Sequence, residues 1–293
     1  MGKKKRVNKI FLVFLIIIAT ILILLLKTNF EKPIFRENSI DNPESKKHSD
    51  TQPSMLEGSE DSGVILIHGL GATAWETKKL AEYLNKNNIT TSQVLLAGHG
   101  ANIYDFEKTT SQQWYNSVEQ AYNSLNTKKK VIIGSSLGAL LAIELTQKNN
   151  PDGIIILSVP IYFNDKRIKY TPILKYFQRY SHRDINKEHQ PFYHENFPVK
   201  ALAKMIDYIN KVKPIIPKIN TPALIIQSNN DTRLDSKSAQ YLYDNIASEE
   251  KEIMWLNSNQ HVLIIDYEDE NQEFKNERKE IFEKIHKFII ETN

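Results

Sequence analysis

The chain has 293 residues, of which 41% are hydrophobic and 25% are charged, a composition typical of globular proteins. It contains no cysteine, which excludes disulfides, cysteine metal ligands and thiol catalysis. The formal net charge is only +3, from 38 basic and 35 acidic residues, and this near balance argues against nucleic acid as a partner.

The chain begins with a basic segment followed by an apolar one. Residues 1–9 are rich in Lys and Arg, whereas residues 10–26 carry no charge and include one polar residue, Thr20. Such a run is at the short end of the membrane-spanning range, and we predict a transmembrane signal anchor over residues 10–28. Because the basic residues come first, the positive-inside rule puts the N-terminus in the cytoplasm and the rest of the chain outside a bacterial plasma membrane. No small-x-small site follows the run, which argues against a cleaved signal peptide.

A polar segment separates this predicted anchor from the rest of the chain. Residues 29–62 include Pro33, Pro43 and Pro53 among many polar side chains. This composition cannot bury a core, so we predict a flexible linker there. The remaining residues, 63–293, are enough for one α/β domain with its own core.

Apolar runs alternate with helix-like segments through this domain. Val64–Ile67 is a continuous apolar run, which is typical of a strand covered on both faces. The other predicted strands are residues 91–96, 131–134, 153–157, 222–227 and 252–256, and the predicted helices are about 75–86, 111–125, 137–145 and 273–290. Such alternation predicts an α/β fold with a mostly parallel sheet and helices on both faces.

Residues 160–220 interrupt the alternation and are rich in aromatic side chains. These are Tyr162, Phe163, Tyr170, Tyr176, Phe177, Tyr180, Phe192, Tyr193, Phe197 and Tyr208. Because the segment lies between two strands, we predict a cap over the carboxyl ends of the sheet, where ligands bind in open α/β sheets. The aromatic side chains could form an apolar lid that grips an acyl chain, or they could pack only against each other and the sheet.

The most informative motif is Gly134-Ser135-Ser136-Leu137-Gly138, which lies between a β-branched run and a segment rich in Leu and Ala. A strand that turns sharply into a helix at G-x-S-x-G holds its serine on a strained corner, and the glycines let the two backbones approach closely. We therefore predict Ser136 as a nucleophile at the N-terminus of a helix, where free N–H groups favour developing negative charge.

A nucleophilic serine needs a base and a group that orients the base. Asp231 and His261 each follow a late predicted strand, so both lie at the carboxyl edge of the sheet with Ser136. We predict that Ser136, Asp231 and His261 form a catalytic triad. The predicted oxyanion donors are the backbone N–H groups of Leu137 and of Leu70, the latter in the turn after the first strand.

Other residues of the same types could take these roles. The rival acids and the rival base are Asp235, Asp266 and His68. Asp235 is expected to cap a helix, and the turn that contains His68 is better suited to the oxyanion. His99 is interpreted as a structural loop residue. His182, His189 and His194, with Asp184 nearby in sequence, match no familiar metal-ligand spacing, so no metal is predicted there.

Several stretches resemble the α/β-hydrolase superfamily over nearly all of residues 63–293 and, more narrowly, compact bacterial carboxylesterases and monoacylglycerol lipases. They are Leu66-Ile67-His68-Gly69, Gly98-His99-Gly100, Trp114, Gly134-Ser135-Ser136-Leu137-Gly138, Pro160-Ile161-Tyr162 and His261-Val262-Leu263-Ile264-Ile265-Asp266. The resemblance implies an α/β-hydrolase fold with an inserted helical cap, the triad named above, and hydrolysis of short to medium acyl esters or monoacylglycerols without cofactor or metal. Gln260 departs from it, because many relatives have Gly before the base.

The predicted chemistry leaves the acceptor open. An ester hydrolase, an acyltransferase and a peptidase can all pass through the same acyl-enzyme, so the triad does not separate them. A non-catalytic binding module on the same fold is a further alternative, since fold alone does not settle function. The anchor favours a lipid or lipid-like ester near a membrane as the substrate.

Overall fold

A seven-stranded sheet forms the centre of the protein. The computed structural model describes residues 9, 11–20, 22–23, 49–100, 102–182, 185, 189, 192–266 and 271–292. The strands of the sheet are β1 (Ser54–Leu56), β2 (Ser59–Ile67), β3 (Ile89–Val94), β4 (Lys129–Ser135), β5 (Gly153–Leu157), β8 (Ala223–Ser228) and β9 (Lys251–Leu256). Their order is β1-β3-β2-β4-β5-β8-β9, and all neighbours are parallel except β1 and β3. The predicted mostly parallel sheet is therefore confirmed.

Helices connect these strands and cover both faces of the sheet. They are α1 (Trp75–Lys86), α2 (Ile103–Lys108), α3 (Ser111–Ser124), α4 (Leu137–Leu145), α5 (Thr171–Leu174), α6 (Val199–Val212), α7 (Lys237–Asn245) and α8 (Gln272–Glu291). The predicted helices correspond to α1, α3, α4 and α8 to within one residue at each end. The short helix α2 was not predicted, although the Asn102 side chain accepts the backbone N–H of Asp105 and caps it.

The continuous apolar strands follow from burial on both sides. In β2, Ile65 and Ile67 belong to one core cluster, whereas Val64 and Leu66 belong to the other. The first cluster includes residues of α3, α4, α6 and α7, and the second includes residues of α1 and α8. Since successive side chains of a strand point to opposite faces, only an uninterrupted apolar run satisfies both layers.

The apolar N-terminal segment is described only in part. Residues 11–20 are helical, with exposed side chains. Within the described ranges, no helix is both long and apolar enough to cross a bilayer, so the structure does not support the predicted anchor over residues 10–28. That prediction, and the assignments of residues 1–9 and 29–48, extend outside the described residues.

The end of the predicted linker differs from the expectation, because it is part of the folded domain. Residues Ser49–Thr51 form a short 3-10 helix, β1 pairs antiparallel with β3, and β2 begins at Ser59 rather than at Val64. Strand β1 is ordered by backbone pairing with β3 at the edge of the sheet, which hydrophobic patterning does not reveal.

Among its described residues, the segment between β5 and β8 contains α5, α6, the short 3-10 helices Ile168–Tyr170 and Ile216–Lys218, and a small hairpin of β6 (Tyr180–His182) and β7 (Asn196–Pro198). Helix α6 is fastened to α4 by the buried Glu144, which accepts hydrogen bonds from the Tyr208 hydroxyl and from Lys211 Nζ, the latter at 2.6 Å. The aromatic residues of this segment are divided between core and surface. Tyr180, Phe192 and Tyr208 are buried, whereas Tyr162, Tyr170, Tyr176 and Phe177 are exposed.

Glycine at position 138 is required by the approach of α4 to β2. A Cβ at this position would lie 2.3 Å from the carbonyl oxygen of Ile67, which is backbone and cannot move aside alone. We expect Gly138→Ala to lower the free energy of unfolding of the full chain by more than about 3 kcal/mol, measured by urea denaturation. Gln147→Ala, an exposed site just beyond α4, should change it by no more than about 0.5 kcal/mol. Equal stabilities would show that the elbow is looser than described.

Candidate active site

Ser136 lies at the corner between β4 and α4. Its backbone has φ 52° and ψ −111°, in the left-handed half of the map that non-glycine residues seldom occupy. Such strain persists only where the surroundings enforce it. Here a Cβ on Gly134 would lie 2.3 Å from the carbonyl oxygen of Gly138, so the strand and the helix meet too closely for side chains. The geometry is that of the predicted elbow.

The structure brings His261 to Ser136. His261 follows β9, and its Nε2 atom lies 3.3 Å from Ser136 Oγ, within hydrogen-bond reach. The ring is 9% exposed, so it can meet a reactant without being freely solvated. The loop is held from below, since the Ser158 hydroxyl donates to the backbone carbonyl of His261 at 2.8 Å. Ser158 itself has φ 49°, a second strained residue at this edge of the sheet.

Asp231 lies on the other side of the imidazole. Its Oδ2 atom is 2.9 Å from His261 Nδ1, and its Oδ1 atom accepts the backbone N–H groups of Arg233 and Leu234 at 2.8 and 3.0 Å. Burial alone would raise the pKa of Asp231, but the hydrogen bonds from His261 and from these two N–H groups outweigh it and hold the pKa below its ordinary value. The carboxylate therefore stays ionised beside the ring and selects the tautomer with its proton on Nδ1.

The rival acids have other partners. Asp235 accepts the backbone N–H of Lys237 at 3.0 Å, as expected for a residue at a helix start. Asp266 forms ion pairs with Lys79 at 3.1 Å and with Arg278 at 2.7 Å. Of these three aspartates, Asp231 is the one that contacts the imidazole of His261.

The two predicted oxyanion donors flank the serine. Leu137 is the first residue of α4, and Leu70 lies in the turn after β2. A Cβ on Gly69, the residue before Leu70, would lie 3.4 Å from Ser136 Cβ, so this turn passes directly beside the serine. Among the described residues, neither the Leu70 nor the Leu137 backbone N–H donates to a protein acceptor. Their role as oxyanion donors stays a prediction.

His68, the rival base, is fully buried, and both of its ring nitrogens contact backbone groups. Its Nδ1 atom bonds to the carbonyl of Gly69 at 2.8 Å, while its Nε2 atom accepts the backbone N–H of Leu96 at 3.1 Å. Only the neutral ring with its proton on Nδ1 fits both contacts. Burial accordingly lowers the pKa of His68 to about 4.

A metal site is not among the features of the described residues. No group of three or more histidines and carboxylates is placed there to hold an ion. His189 contacts Trp75, and His194 stacks on Phe106, so both take part in aromatic packing. Asp184 lies outside the described residues.

Three polar residues around the site were missed by sequence reasoning. Gln227 Nε2 donates to Asp231 Oδ2 at 3.1 Å, Asn164 Nδ2 donates to the Asp231 carbonyl at 2.8 Å, and Ser158 holds the His261 loop. Gln227 lies near the end of the apolar strand β8, and Ser158 directly follows the apolar strand β5. A polar residue at the end of an apolar strand could have indicated that both lie near the site. Asn164 gave none, because its partner is 67 residues away in the chain.

The strained serine, the buried histidine and the ionised aspartate on a capped parallel sheet define a protein of the α/β-hydrolase class. The chain belongs to the Hydrolase_4 family, described as serine aminopeptidase S33, whose profile matches residues 58–268. The predicted α/β-hydrolase fold is thereby confirmed.

Individual relatives are similar to most of the chain. A carboxylesterase of Bacillus subtilis (strain 168) is 25% identical over 217 residues, which cover 71% of this chain and 87% of the relative. A thermostable monoacylglycerol lipase of Bacillus sp. (strain H-257) is 29% identical over 213 residues, covering 70% and 85%. A solved structure from work on LipS and LipT, two metagenome-derived lipolytic enzymes, superposes with a TM-score of 0.73 at 22% identity, covering 83% of this chain and 98% of that one. At that identity the likeness concerns the fold.

The buried His68 makes folding sensitive to acid. Since the folded protein keeps the ring neutral, the unfolded chain takes up this proton first as the pH falls. The free energy of unfolding should therefore fall between about pH 6.5 and about pH 4, by up to about 1.4 kcal/mol per pH unit from this group, and not further below. Urea denaturation across this range should show a shallower slope for His68→Asn than for the wild type, whatever its absolute stability. Equal slopes would contradict a neutral buried ring.

Proposed function

We propose that the protein is a serine hydrolase that cleaves carboxylic esters, of short to medium acyl chains or of the monoacylglycerol type, through an acyl-enzyme on Ser136. The observation that carries the proposal is the single imidazole that reaches Ser136 Oγ at 3.3 Å with one nitrogen and Asp231 at 2.9 Å with the other. Relatives named carboxylesterase and monoacylglycerol lipase support the ester as substrate.

In the first half of the proposed reaction, Ser136 Oγ attacks the ester carbonyl carbon and its proton passes to His261 Nε2. Asp231 stabilises the imidazolium that forms. The carbonyl oxygen becomes an oxyanion, which the N–H groups of Leu70 and Leu137 bind. The C–O bond to the alcohol then breaks, and His261 returns the proton to the leaving alkoxide.

In the second half, water replaces the alcohol. His261 removes a proton from the water as its oxygen attacks the acyl carbon, and the same two N–H groups bind the new oxyanion. The bond to Ser136 Oγ breaks, His261 protonates the serine, and a carboxylic acid leaves. An amine or alcohol that reached the acyl-enzyme in place of water would give acyl transfer.

A peptidase is the second candidate, because the family description names a serine aminopeptidase. An aminopeptidase must also bind the free ammonium group of its substrate. The relatives named carboxylesterase and monoacylglycerol lipase favour an ester over an amide as the substrate.

The activity test uses an adjacent pair of serines. We expect Ser136→Ala to lower kcat for p-nitrophenyl butyrate and for a monoacylglycerol by at least about 10³-fold, because it removes the hydroxyl that lies 3.3 Å from His261 Nε2. Ser135→Ala, which removes the neighbouring buried hydroxyl at the end of β4, should stay within about 3-fold of the wild type.

The third substrate tests for peptidase activity. It is an amide of an amino acid whose own amino group is free. Faster turnover of this amide than of either ester would favour the peptidase. Loss of ester hydrolysis in both serine variants alike, or its survival in Ser136→Ala, would overturn the assignment of the nucleophile.

We further propose that the apolar segment 10–28 holds the protein at a bacterial plasma membrane as a single-pass anchor, with the catalytic domain outside the cytoplasm. The sequence supports this through the uncharged run that follows a basic segment. An enzyme held there would meet lipid esters at the membrane surface.

Fractionation of bacterial cells that express the full chain tests the anchor. The protein should stay in the membrane pellet after an alkaline carbonate wash, and protease added to intact protoplasts should digest it. Ile17→Arg combined with Ile18→Arg should release it, since each charge in the bilayer centre costs about 3 kcal/mol. A wild-type protein found in the soluble fraction would rule the anchor out.

A further inference from the structure

Glu76 is a buried carboxyl group that the proposed reaction does not use. It is the second residue of α1 and is 2% exposed. Its Oε1 atom accepts the backbone N–H of Gly69 at 2.8 Å. A buried carboxyl group without hydrogen bonds would be costly, so this contact is tightly maintained.

The peptide groups on both sides of Gly69 are fixed by this arrangement. Glu76 holds the N–H of Gly69, while the Gly69 carbonyl accepts hydrogen bonds from His68 Nδ1 at 2.8 Å and from the Ala72 N–H at 3.3 Å. That carbonyl belongs to the same planar peptide as the Leu70 N–H, which points in the opposite direction. The direction of the proposed oxyanion donor therefore follows from how Gly69 is held.

Gly69 also lies between the carboxyl group and the nucleophile. A Cβ on Gly69 would be 3.4 Å from Glu76 Oε1 and 3.4 Å from Ser136 Cβ. With so little free space, loss of the carboxyl oxygen would let the turn shift away from Ser136 and take the Leu70 N–H with it.

The second carboxyl oxygen of Glu76 reaches the cap. The Tyr193 hydroxyl donates to Oε2 at 3.1 Å, and beside it Phe192 stacks on Trp75, the first residue of α1, with ring centroids 4.3 Å apart. One carboxyl group thus contacts the cap with one oxygen and the oxyanion turn with the other.

We infer that Glu76 is a positioning residue that holds the Leu70 N–H in place for the oxyanion, and that Tyr193 links this position to the cap. The inference rests on the proposed function, because it needs Leu70 to be an oxyanion donor. Through Tyr193, the cap segment then helps to keep the Leu70 N–H in the position that the proposed reaction needs.

The test compares substitutions at position 76 in the full chain. Glu76→Asp keeps the charge but is too short by one methylene to reach Gly69, and Glu76→Ala removes the acceptor. Glu76→Gln still offers an oxygen to Gly69 and an amide to the Tyr193 oxygen. Glu82→Ala, a half-exposed glutamate on the same helix, is the matched control.

Two measurements separate positioning from folding. One is the kcat and KM for p-nitrophenyl butyrate, and the other is labelling of Ser136 by a fluorophosphonate, followed for its rate and its final extent. We expect Glu76→Asp and Glu76→Ala to lower kcat and the labelling rate by about 10-fold or more, with KM and the final extent little changed. Glu76→Gln should recover to within about 3-fold of the wild type, and Glu82→Ala should match it.

Tyr193→Phe tests the link to the cap. We expect it to lower the labelling rate by about 2- to 5-fold, and Glu76→Ala combined with Tyr193→Phe should be no slower than Glu76→Ala alone, because both changes break one connection. Additive losses would overturn the link.

The remaining outcomes are distinct. The positioning role would be overturned if Glu76→Asp and Glu76→Ala had wild-type rates. It would also be overturned if their rates fell only in proportion to the labelled fraction. In both cases the proposed function would stand. If Glu76→Ala does not fold, the Asp variant decides by the same criteria. A wild-type protein that neither hydrolyses esters nor labels at Ser136 would overturn the proposed function, and this inference with it.

Discussion

The close approach of three backbones at Gly134 and Gly138 is the constraint on which the site depends. Strand β4, helix α4 and the end of β2 meet there at distances that leave no room for a Cβ. This contact forces Ser136 to a positive φ and places the turn after β2 beside it. Backbone packing therefore places Ser136 and the turn that carries Leu70, and the Glu76 side chain adds a hydrogen bond to that turn.

The histidine and the aspartate depend on a second layer of contacts. They lie on loops, which are mobile unless they are fastened. Ser158, which directly follows β5, donates a hydrogen bond to the His261 loop. Asn164, at the start of the cap segment, donates one to the Asp231 backbone. These hydrogen bonds therefore connect both loops to the chain that leads into the cap. The positions of His261 and Asp231 thus depend on hydrogen bonds from neighbouring polar side chains.

The features that the sequence predicts are the local ones. The elbow was readable because the glycines, the serine and the flanking strand and helix lie within a few residues, and β2 because burial on two faces demands an unbroken apolar run. Asp231 and His261 were found because each follows its own strand. Glu76 and Ser158 were not, since a carboxyl group on a helix or a serine after a strand gains its role only from partners that the fold brings near. Strand β1 was not predicted for a related reason. It is ordered by backbone pairing with β3 and not by a pattern in its own side chains.

That edge has a consequence for any shortened form of the protein. The family profile begins at residue 58, but β1 already covers residues 91–93 of β3 from Ser54 onward, and Asp50 pairs with Lys78 of α1 at 2.7 Å. A fragment cut at the profile boundary would keep the whole site and yet expose the backbone groups of β3. An open edge of this kind is a template for pairing with another molecule, so such a fragment would be prone to aggregate through β3. The few polar residues before the profile thus protect the solubility of the domain.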